Sequence, residues 1–219
     1  MKSALFEQAP GIAPPWSIQS IRFDDKTNRL DIYLEFRRGS TFADENSEDP
    51  DAYTAYDTVP KTWRHLNFFQ HECCLHARAP RIKRKDVRVI PPPRSGVVSG
   101  FSLLFEALLI QPAESMTVKN VGRLTGVSDH KIWHVLDVYV DAAEFNEDFS
   151  ETETVGIDET SIAKGHDYIT LFVDLKEKKT VHVSEGKSAE TVKEFAAVLK
   201  EKNGTGEQIQ QVGCDMSPA

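Results

Sequence analysis

The sequences TVGIDETS at residues 154–161 and VGCDMSPA at residues 212–219 decide the fold expected for the carboxyl-terminal part of the chain. In each of them, a short apolar run typical of a β-strand is followed by an aspartate, Asp158 in the first and Asp215 in the second. Aspartates at the ends of two strands can converge on one edge of a sheet, and carboxylate oxygens are ligands that Mg²⁺ prefers. A single aspartate at a strand end is more commonly a turn or capping residue. The pair therefore predicts a metal site where neither residue alone would.

The residues between these aspartates predict two further strands and a helix. The run YITLFVD at residues 168–174 is nearly continuous in apolar residues, as in a strand covered on both faces, and KTVHVS at residues 179–184 predicts the next strand. Residues 188–202 have helical spacing of apolar residues behind Ser188, a good N-cap. The order strand, strand, strand, helix, strand predicts part of a ribonuclease H-like α/β sheet. His166 is left open as a substrate contact or a structural histidine, and Glu159 is expected to face away from the site.

The amino-terminal part of the chain is predicted to be rich in β-strands. Alternation of apolar and polar residues predicts two β-hairpins, formed by residues 16–23 with 30–36 and by residues 62–69 with 73–81. The acidic segment between them, residues 39–57, predicts a loop.

A proline-rich segment, PPPRSG at residues 91–96, predicts a stiff, extended linker followed by helices. The expected helices are one containing Leu103, Leu104 and Leu108 and stopped near Pro112, one over residues 117–124 with Val118, Val121 and Leu124 inward, and one running from Ser128 through Val140 with Ile132, Val135 and Leu136 inward. The last two are joined by a glycine-containing turn and match the helix-turn-helix pattern, although such pairs also occur in plain helical packing. Trp133 is expected in the core, with a phosphate contact as the alternative.

Basic residues are concentrated between two acidic segments of the chain. Clustered lysines and arginines release counterions from phosphates and so give sequence-independent affinity for nucleic acid, whereas the alternative is a solvated face with no partner. Together with the residues that open the third helix, they form the set expected to contact DNA: Arg78, Arg81, Lys83, Arg84, Lys85, Arg88, Lys119, Arg123, Ser128, His130 and Lys131.

The composition is that of a soluble protein in a reducing compartment. The 219 residues carry a net charge of −8 and are 40% hydrophobic, with no apolar run long enough to span a membrane. The first 15 residues lack the pattern of a signal peptide. Three cysteines, two of them adjacent, do not form a disulfide framework. A cytoplasmic location is therefore expected.

Several of these segments together resemble the ISL-three family of bacterial insertion-sequence transposases. The motifs are GIDETS at residues 156–161, KGHDY at 164–168 and DMSPA at 215–219, preceded by KTWRHL at 61–66 and LHARAPR at 75–81. They occur in the family's order, and the resemblance extends from about residue 16 to the end of the sequence.

The resemblance implies a DDE-type mechanism, in which two aspartates and a glutamate hold two divalent ions, Mg²⁺ or Mn²⁺, at a phosphodiester. Asp158 and Asp215 match the first two carboxylates, and the third would lie beyond residue 219. Relatives usually carry a zinc ribbon near the amino terminus, but other residues occupy its cysteine positions here. Because the adjacent Cys73 and Cys74 would face opposite sides of a strand, we expect no zinc site.

We therefore expect an α+β, multi-domain chain. Its parts are a β-rich, degenerate zinc-ribbon-like DNA-binding module at residues 1–90, a linker at 91–100, a helix-turn-helix at 101–150, and an incomplete ribonuclease H-like catalytic domain at 151–219.

The expected function is that of a DNA transposase that binds double-stranded terminal inverted repeats and carries out metal-dependent strand cleavage and transfer. It would act in the bacterial cytoplasm at the nucleoid, with a second copy of the chain as a candidate partner. Since one carboxylate is missing, this chain is expected to bind DNA without cleaving it. The alternatives are a non-catalytic DNA-binding fragment or inhibitor of the full-length transposase, and a stand-alone nuclease, which an incomplete sheet fits poorly.

Overall fold

The computed structural model describes residues 11–43, 51–83, 85–98, 100–161 and 167–214. Its contacts divide the chain into two compact units, Met1–Asp141 and Ala142–Ala219. Sheets and helices occur in both, which is compatible with the expected α+β class. The four-segment division proposed from the sequence stays a prediction. Among the described residues, no helix is both long and apolar enough to cross a membrane.

The first unit is built on a mixed β-sheet. Its strands are β1 (Trp16–Asp24), β2 (Arg29–Phe36), β3 (Thr41–Phe42), β4 (Tyr53–Thr54), β5 (Asp57–Phe68), β6 (His71–Lys83) and β7 (Val87–Val89). The order is β1-β2-β6-β5, with β7 on β6; β2 and β6 run parallel, and the other pairs are antiparallel. Both predicted hairpins, β1–β2 and β5–β6, are confirmed. The segment predicted as loop instead contains β3 and β4, which pair with each other, and the beginning of β5.

Apolar side chains at alternate positions of β2 and β6 form the core on one face of this sheet. Leu30, Ile32 and Leu34 are buried on one face of β2, and Cys73 and Leu75 lie opposite the first two of them on β6. Cys73 is buried in this cluster, whereas Cys74 pairs with Asp31 on the other face, so the two thiols do face opposite ways. Burial raises the pKa of the Cys73 thiol to about 12, so the thiol is neutral in this cluster at neutral pH.

Three helices begin in the first unit: α1 (Leu103–Ala113), α2 (Val118–Thr125) and α3 (Asp129–Phe145), which ends beyond the unit boundary at Asp141. All three predicted helices are confirmed, but α3 continues past Val140, and Pro112 lies inside α1. The buried positions include Phe105, Leu109, Val121, Ile132 and Val135. Two inward assignments are wrong: Leu124 is 66% exposed and Trp133 is 54% exposed. Both lie beside correctly predicted buried positions, so the helical period was right and the width of the buried face was overestimated.

The proline-rich segment is a turn, which corrects the extended conformation predicted for it. Ser95 N donates to Pro92 O at 3.2 Å, and Gly96 N donates to Phe101 O at 2.8 Å. Leu103 N, at the beginning of α1, donates back to Arg94 O at 3.0 Å. The segment therefore folds back onto the start of the helix that follows it.

The second unit contains β8 (Thr154–Ser161), β9 (Tyr168–Asp174), β10 (Lys179–Glu185), α4 (Ala189–Glu201), a 3-10 turn (Gly206–Gln208) and β11 (Gln211–Cys214). This element order confirms the prediction, and Ser188 caps α4 by accepting a hydrogen bond from Glu190 N at 3.3 Å. The sheet order is β10-β9-β8-β11, with β8 antiparallel to β9 and parallel to β11. Helix α4 covers one face, where the ring of Phe195 stacks on that of Phe172 with centroids 4.4 Å apart.

Candidate functional site

Asp158 lies within β8, an inner strand of the second sheet, and not at the end of a strand as predicted, because the pairing with β9 continues to Ser161. It is exposed and pairs with Leu171 of β9, while its neighbour Ile157 pairs with Phe172, which packs under α4. Because successive residues of a strand point to opposite faces, Asp158 lies on the sheet face away from α4. Glu159, the next residue of β8, lies on the other face of the sheet, as predicted. The carboxylate of Asp158 is thus accessible to a ligand.

The strand beside Asp158 ends at the residue before the second predicted carboxylate. β11 runs parallel to β8, and Cys214 pairs with Ile157, the residue that precedes Asp158. Asp215 follows Cys214 in the sequence but lies outside the described residues, as do His166 and Arg84. The described residues therefore supply one carboxylate of the predicted site and the strand register next to it.

No group of three or more histidine, cysteine, aspartate or glutamate side chains close enough to hold a metal ion occurs in the part of the chain that the structure describes. Two of the histidines near Cys73 make other contacts. His65 Nδ1 lies 2.8 Å from Ser102 Oγ, and the His76 ring lies between Asp31 Oδ1 at 2.7 Å and Thr62 Oγ1 at 3.0 Å. These ring nitrogens are committed to hydrogen bonds within the first unit.

The predicted DNA-contacting residues of the basic segment differ in how they are held. Arg81 forms an ion pair with Asp57, and Arg78 Nε donates to Thr58 Oγ1 at 2.9 Å. Lys83 Nζ lies 5.6 Å from the centroid of the Tyr56 ring. All of the described members except the half-buried Arg81 are exposed, including Lys85 and Arg88. Exposed cations on and beside β6 and β7 are available to an anionic partner.

The predicted contacts on the helix pair are all on the surface. Gly126 ends α2 in the left-handed conformation, with φ of 74°, which favours glycine, and α3 begins three residues later. The exposed predicted residues are Lys119, Arg123, Ser128, His130 and Lys131. Two helices joined by this short turn present polar residues at the beginning of the second helix.

Sequence reasoning missed three residues with specific roles. Arg64 is turned inward: it donates to His65 O at 2.7 Å, and its guanidinium lies 4.9 Å from the centroid of the Phe105 ring. Glu106, in the middle of an apolar helix sequence, is fully buried and hydrogen-bonded. Arg38 lines a cavity beside Arg78. An isolated acid in an apolar run was the signal for Glu106; the tight-turn sequence RRGS at residues 37–40 was the signal for Arg38.

Comparisons with known proteins give a consistent family. Residues 155–219 match the sequence profile of an ISL-three family of DDE proteins described as transposase. The chain is also 28% identical over 167 residues to the transposase for insertion sequence element IS1001 of Bordetella parapertussis. That alignment covers 75% of this chain and 41% of the relative. No solved structure matches the chain significantly.

The profile match contains β8, α4 and β11, the elements around Asp158, and its residues include Asp215. The motifs quoted from the sequence and the two comparisons therefore agree. By its sequence, this chain is similar to the transposases of the ISL-three family.

Proposed function

We propose that this chain takes part in insertion-sequence transposition, binding DNA ends and holding a divalent cation between Asp158 and Asp215. The observation that carries the proposal is the parallel pairing of β11 with β8, in which Cys214 lies opposite Ile157. Continuing that register by one residue would set Asp215 beside Asp158. The family resemblance supports the same pair, because it matches these two residues to the first two carboxylates of a DDE site.

The chemistry of the pair fits a hard cation. Mg²⁺ or Mn²⁺, the ions expected for a DDE site, would contribute a Lewis acid and a bound water for attack on a phosphodiester. Asp158 would contribute a carboxylate from an inner strand, whose backbone is held by hydrogen bonds to β9 and β11 on either side. The apolar packing of Phe172 and Phe195 behind the sheet would keep that strand in place.

DNA would be bound by the first unit. The exposed cations of β6 and β7 would contact phosphates, and the beginning of α3 would enter the major groove with Ser128, His130 and Lys131. The duplex terminal repeats of an insertion sequence are the proposed partner, with a second copy of the chain as a further candidate. Such a protein would act at the bacterial nucleoid.

Cation binding tests the carboxylate pair directly. We expect Mn²⁺ binding, followed by electron paramagnetic resonance, to weaken in both Asp158→Asn and Asp215→Asn by more than the roughly 10-fold that loss of an outer-shell partner costs. Glu159→Gln is the matched control, because it removes the same charge one residue away on the opposite sheet face. Equal Mn²⁺ affinity in all three variants and the native chain would exclude the pair.

An assay of DNA strand cleavage distinguishes a chain that only binds DNA from one that also cleaves it. The resemblance assigns this chain two of three catalytic carboxylates, so we expect binding of duplex DNA without nicking in Mg²⁺. The chain spans 41% of the length of its curated relative, so cleavage and strand transfer are proposed for a complete transposase. Nicking of end-containing DNA by this chain, lost in Asp158→Asn, would contradict the binding-only form.

A further inference from the structure

A cavity of about 500 Å³ lies in the first unit, beside β2, β4, β5 and β6. Its lining includes two arginines, Arg38 and Arg78, and the hydroxyl side chains of Thr54 and Thr58. Sites for small ligands commonly measure ~300–1,000 Å³, so the cavity is large enough for a small polar group and its neighbouring atoms. Guanidinium and hydroxyl donors are the groups that bind phosphate oxygens.

Arg38 is positioned by a tight turn. Ser40 N and Ser40 Oγ both donate to Arg37 O, at 3.1 Å and 2.7 Å. Gly39, the third residue of this turn, has φ of 85°, the left-handed conformation that a type II turn requires at that position. Arg38 therefore occupies the corner of a closed turn at the edge of the cavity, where its backbone is fixed and its side chain is exposed.

Arg78 is held on the opposite side by Thr58. Its Nε donates to Thr58 Oγ1 at 2.9 Å, and its Nη2 lies 3.4 Å from Thr58 O. These bonds use part of the guanidinium, which has five N–H donors. The hydroxyl of Thr58 accepts this bond from Arg78, and a hydroxyl group can donate as well as accept. The remaining donors are thus held in place before any ligand arrives.

Asp57 is the acidic residue of this lining, and it is already paired. Its carboxylate accepts hydrogen bonds from Nε and Nη2 of Arg81. The hydrogen bond with Arg81 lowers the pKa of Asp57 below its usual value, so the carboxylate stays ionised and engaged by Arg81 at neutral pH. With that charge balanced by Arg81, Arg38 and Arg78 give the described residues of the lining a net positive charge.

We propose that this cavity is a phosphate-binding site, with Arg38 and Arg78 as the two cationic clamps and Thr54 and Thr58 as hydroxyl donors. The ligand is a tetrahedral phosphate, either a phosphodiester of a DNA backbone or a free phosphate group. The DNA source rests on the proposed function, because it adds Arg38, which lies outside β6 and β7, to a backbone contact made with Arg78 of β6. The site itself rests only on the geometry of the turn and of the Arg78–Thr58 pair.

The test compares Arg38→Gln with Arg37→Gln in the full chain. Both variants remove one positive charge from the same turn, but only Arg38 lines the cavity. One arm measures broadening of the inorganic phosphate signal in ³¹P NMR on adding protein. The other measures the affinity for a fluorescent 20-base-pair duplex at several salt concentrations. We expect Arg38→Gln to abolish the phosphate effect and to reduce the salt slope for DNA by about 1, and Arg37→Gln to do neither.

The two arms separate the possible outcomes. If the native chain binds no duplex, the proposed function fails, and the phosphate arm alone decides the site. If Arg38→Gln loses the phosphate effect but keeps the DNA slope, the site stands with free phosphate as its ligand. If Arg38→Gln equals Arg37→Gln in both arms, the site is overturned while DNA binding stands. Circular dichroism of both variants checks that the fold is kept.

Discussion

Glu106 carries a full set of hydrogen bonds inside the first unit. Its Oε1 accepts from Val98 N at 2.8 Å, and its Oε2 accepts from Val97 N at 3.0 Å and from Tyr139 Oη at 2.6 Å. A buried carboxylate is costly unless its oxygens are satisfied, and here all of the donors come from the protein. One side chain thereby joins the segment before α1 to α3.

Replacement of Glu106 by glutamine should destabilise the fold without changing its shape. The NH₂ group of the new glutamine would face a hydrogen-bond donor that the Glu106 carboxylate now accepts from, and that donor would lose its partner. We therefore expect the free energy of unfolding in urea to fall by ~1–3 kcal/mol. Glu114→Gln, at the exposed C-cap of the same helix, is the control and should be nearly neutral.

A second measurement follows the phenol of Tyr139. Burial, and then the hydrogen bond to Glu106 and its charge, raise the pKa of Tyr139 to about 12. Removing the charge in Glu106→Gln should move that pKa back toward 10, the usual value for tyrosine, in an ultraviolet titration. An unchanged titration would mean that Glu106 does not control the phenol.

At the scale of elements, one serine joins strand β5 to helix α1. Ser102 is the N-cap of α1, where its hydroxyl oxygen accepts from Phe105 N at 3.4 Å, and the same oxygen lies 2.8 Å from His65 Nδ1. Backbone bonds run alongside, with Ser102 N donating to Arg64 O at 3.0 Å. The start of the helix is therefore attached to the strand by side chain and main chain together.

This junction should make stability depend on pH. Burial, and then the charge of Arg64, lower the pKa of His65 below 6.5, the usual value for histidine. As the pH falls through 6.5, the unfolded chain takes up a proton on this residue while the folded chain does not, so the folded state loses stability. His65→Gln, which keeps a hydrogen-bonding group but does not titrate, should flatten the dependence of urea unfolding between pH 7.5 and 5.5.

His134→Gln is the control for that measurement, because His134 is exposed on α3. The prediction fails if the two histidine variants change the pH dependence equally.

At the scale of the whole molecule, a net charge of −8 restricts where DNA can bind. An acidic protein binds a polyanion only through a local basic surface, and each phosphate contact contributes ~0.9 to the salt slope. We expect Lys85→Gln with Arg88→Gln to reduce the slope for duplex DNA by about 2. Lys176→Gln with Lys178→Gln, in the turn between β9 and β10, removes the same charge elsewhere. A similar loss in both double variants would assign the effect to net charge.

Local patterns predicted most elements of the chain because their causes are local. Alternation around Asp24 and Asn28 predicted the first hairpin, and Ser188 with the apolar spacing behind it predicted α4. The same patterns failed where packing decides. Trp133 is exposed although it is large and apolar, because the buried face of α3 at Ile132 and Val135 is narrow. The proline-rich segment turns because Gly96 and Phe101 hydrogen-bond to each other, a contact that composition does not encode.

The features of the candidate site also divide into those set by local sequence and those set by tertiary contacts. The sequence by itself determined that Asp158 and Asp215 each follow a short apolar run, that basic residues cluster in the segment that forms β6, and that the motifs resemble those of a transposase family. Only the tertiary structure decided that β11 lies beside β8 with Cys214 opposite Ile157, that Arg64 is turned inward, and that Arg38 and Arg78 line one cavity. The physical reason is range: strand and helix patterns depend on neighbours within a few residues, whereas register and shared cavities depend on contacts between residues distant in the chain.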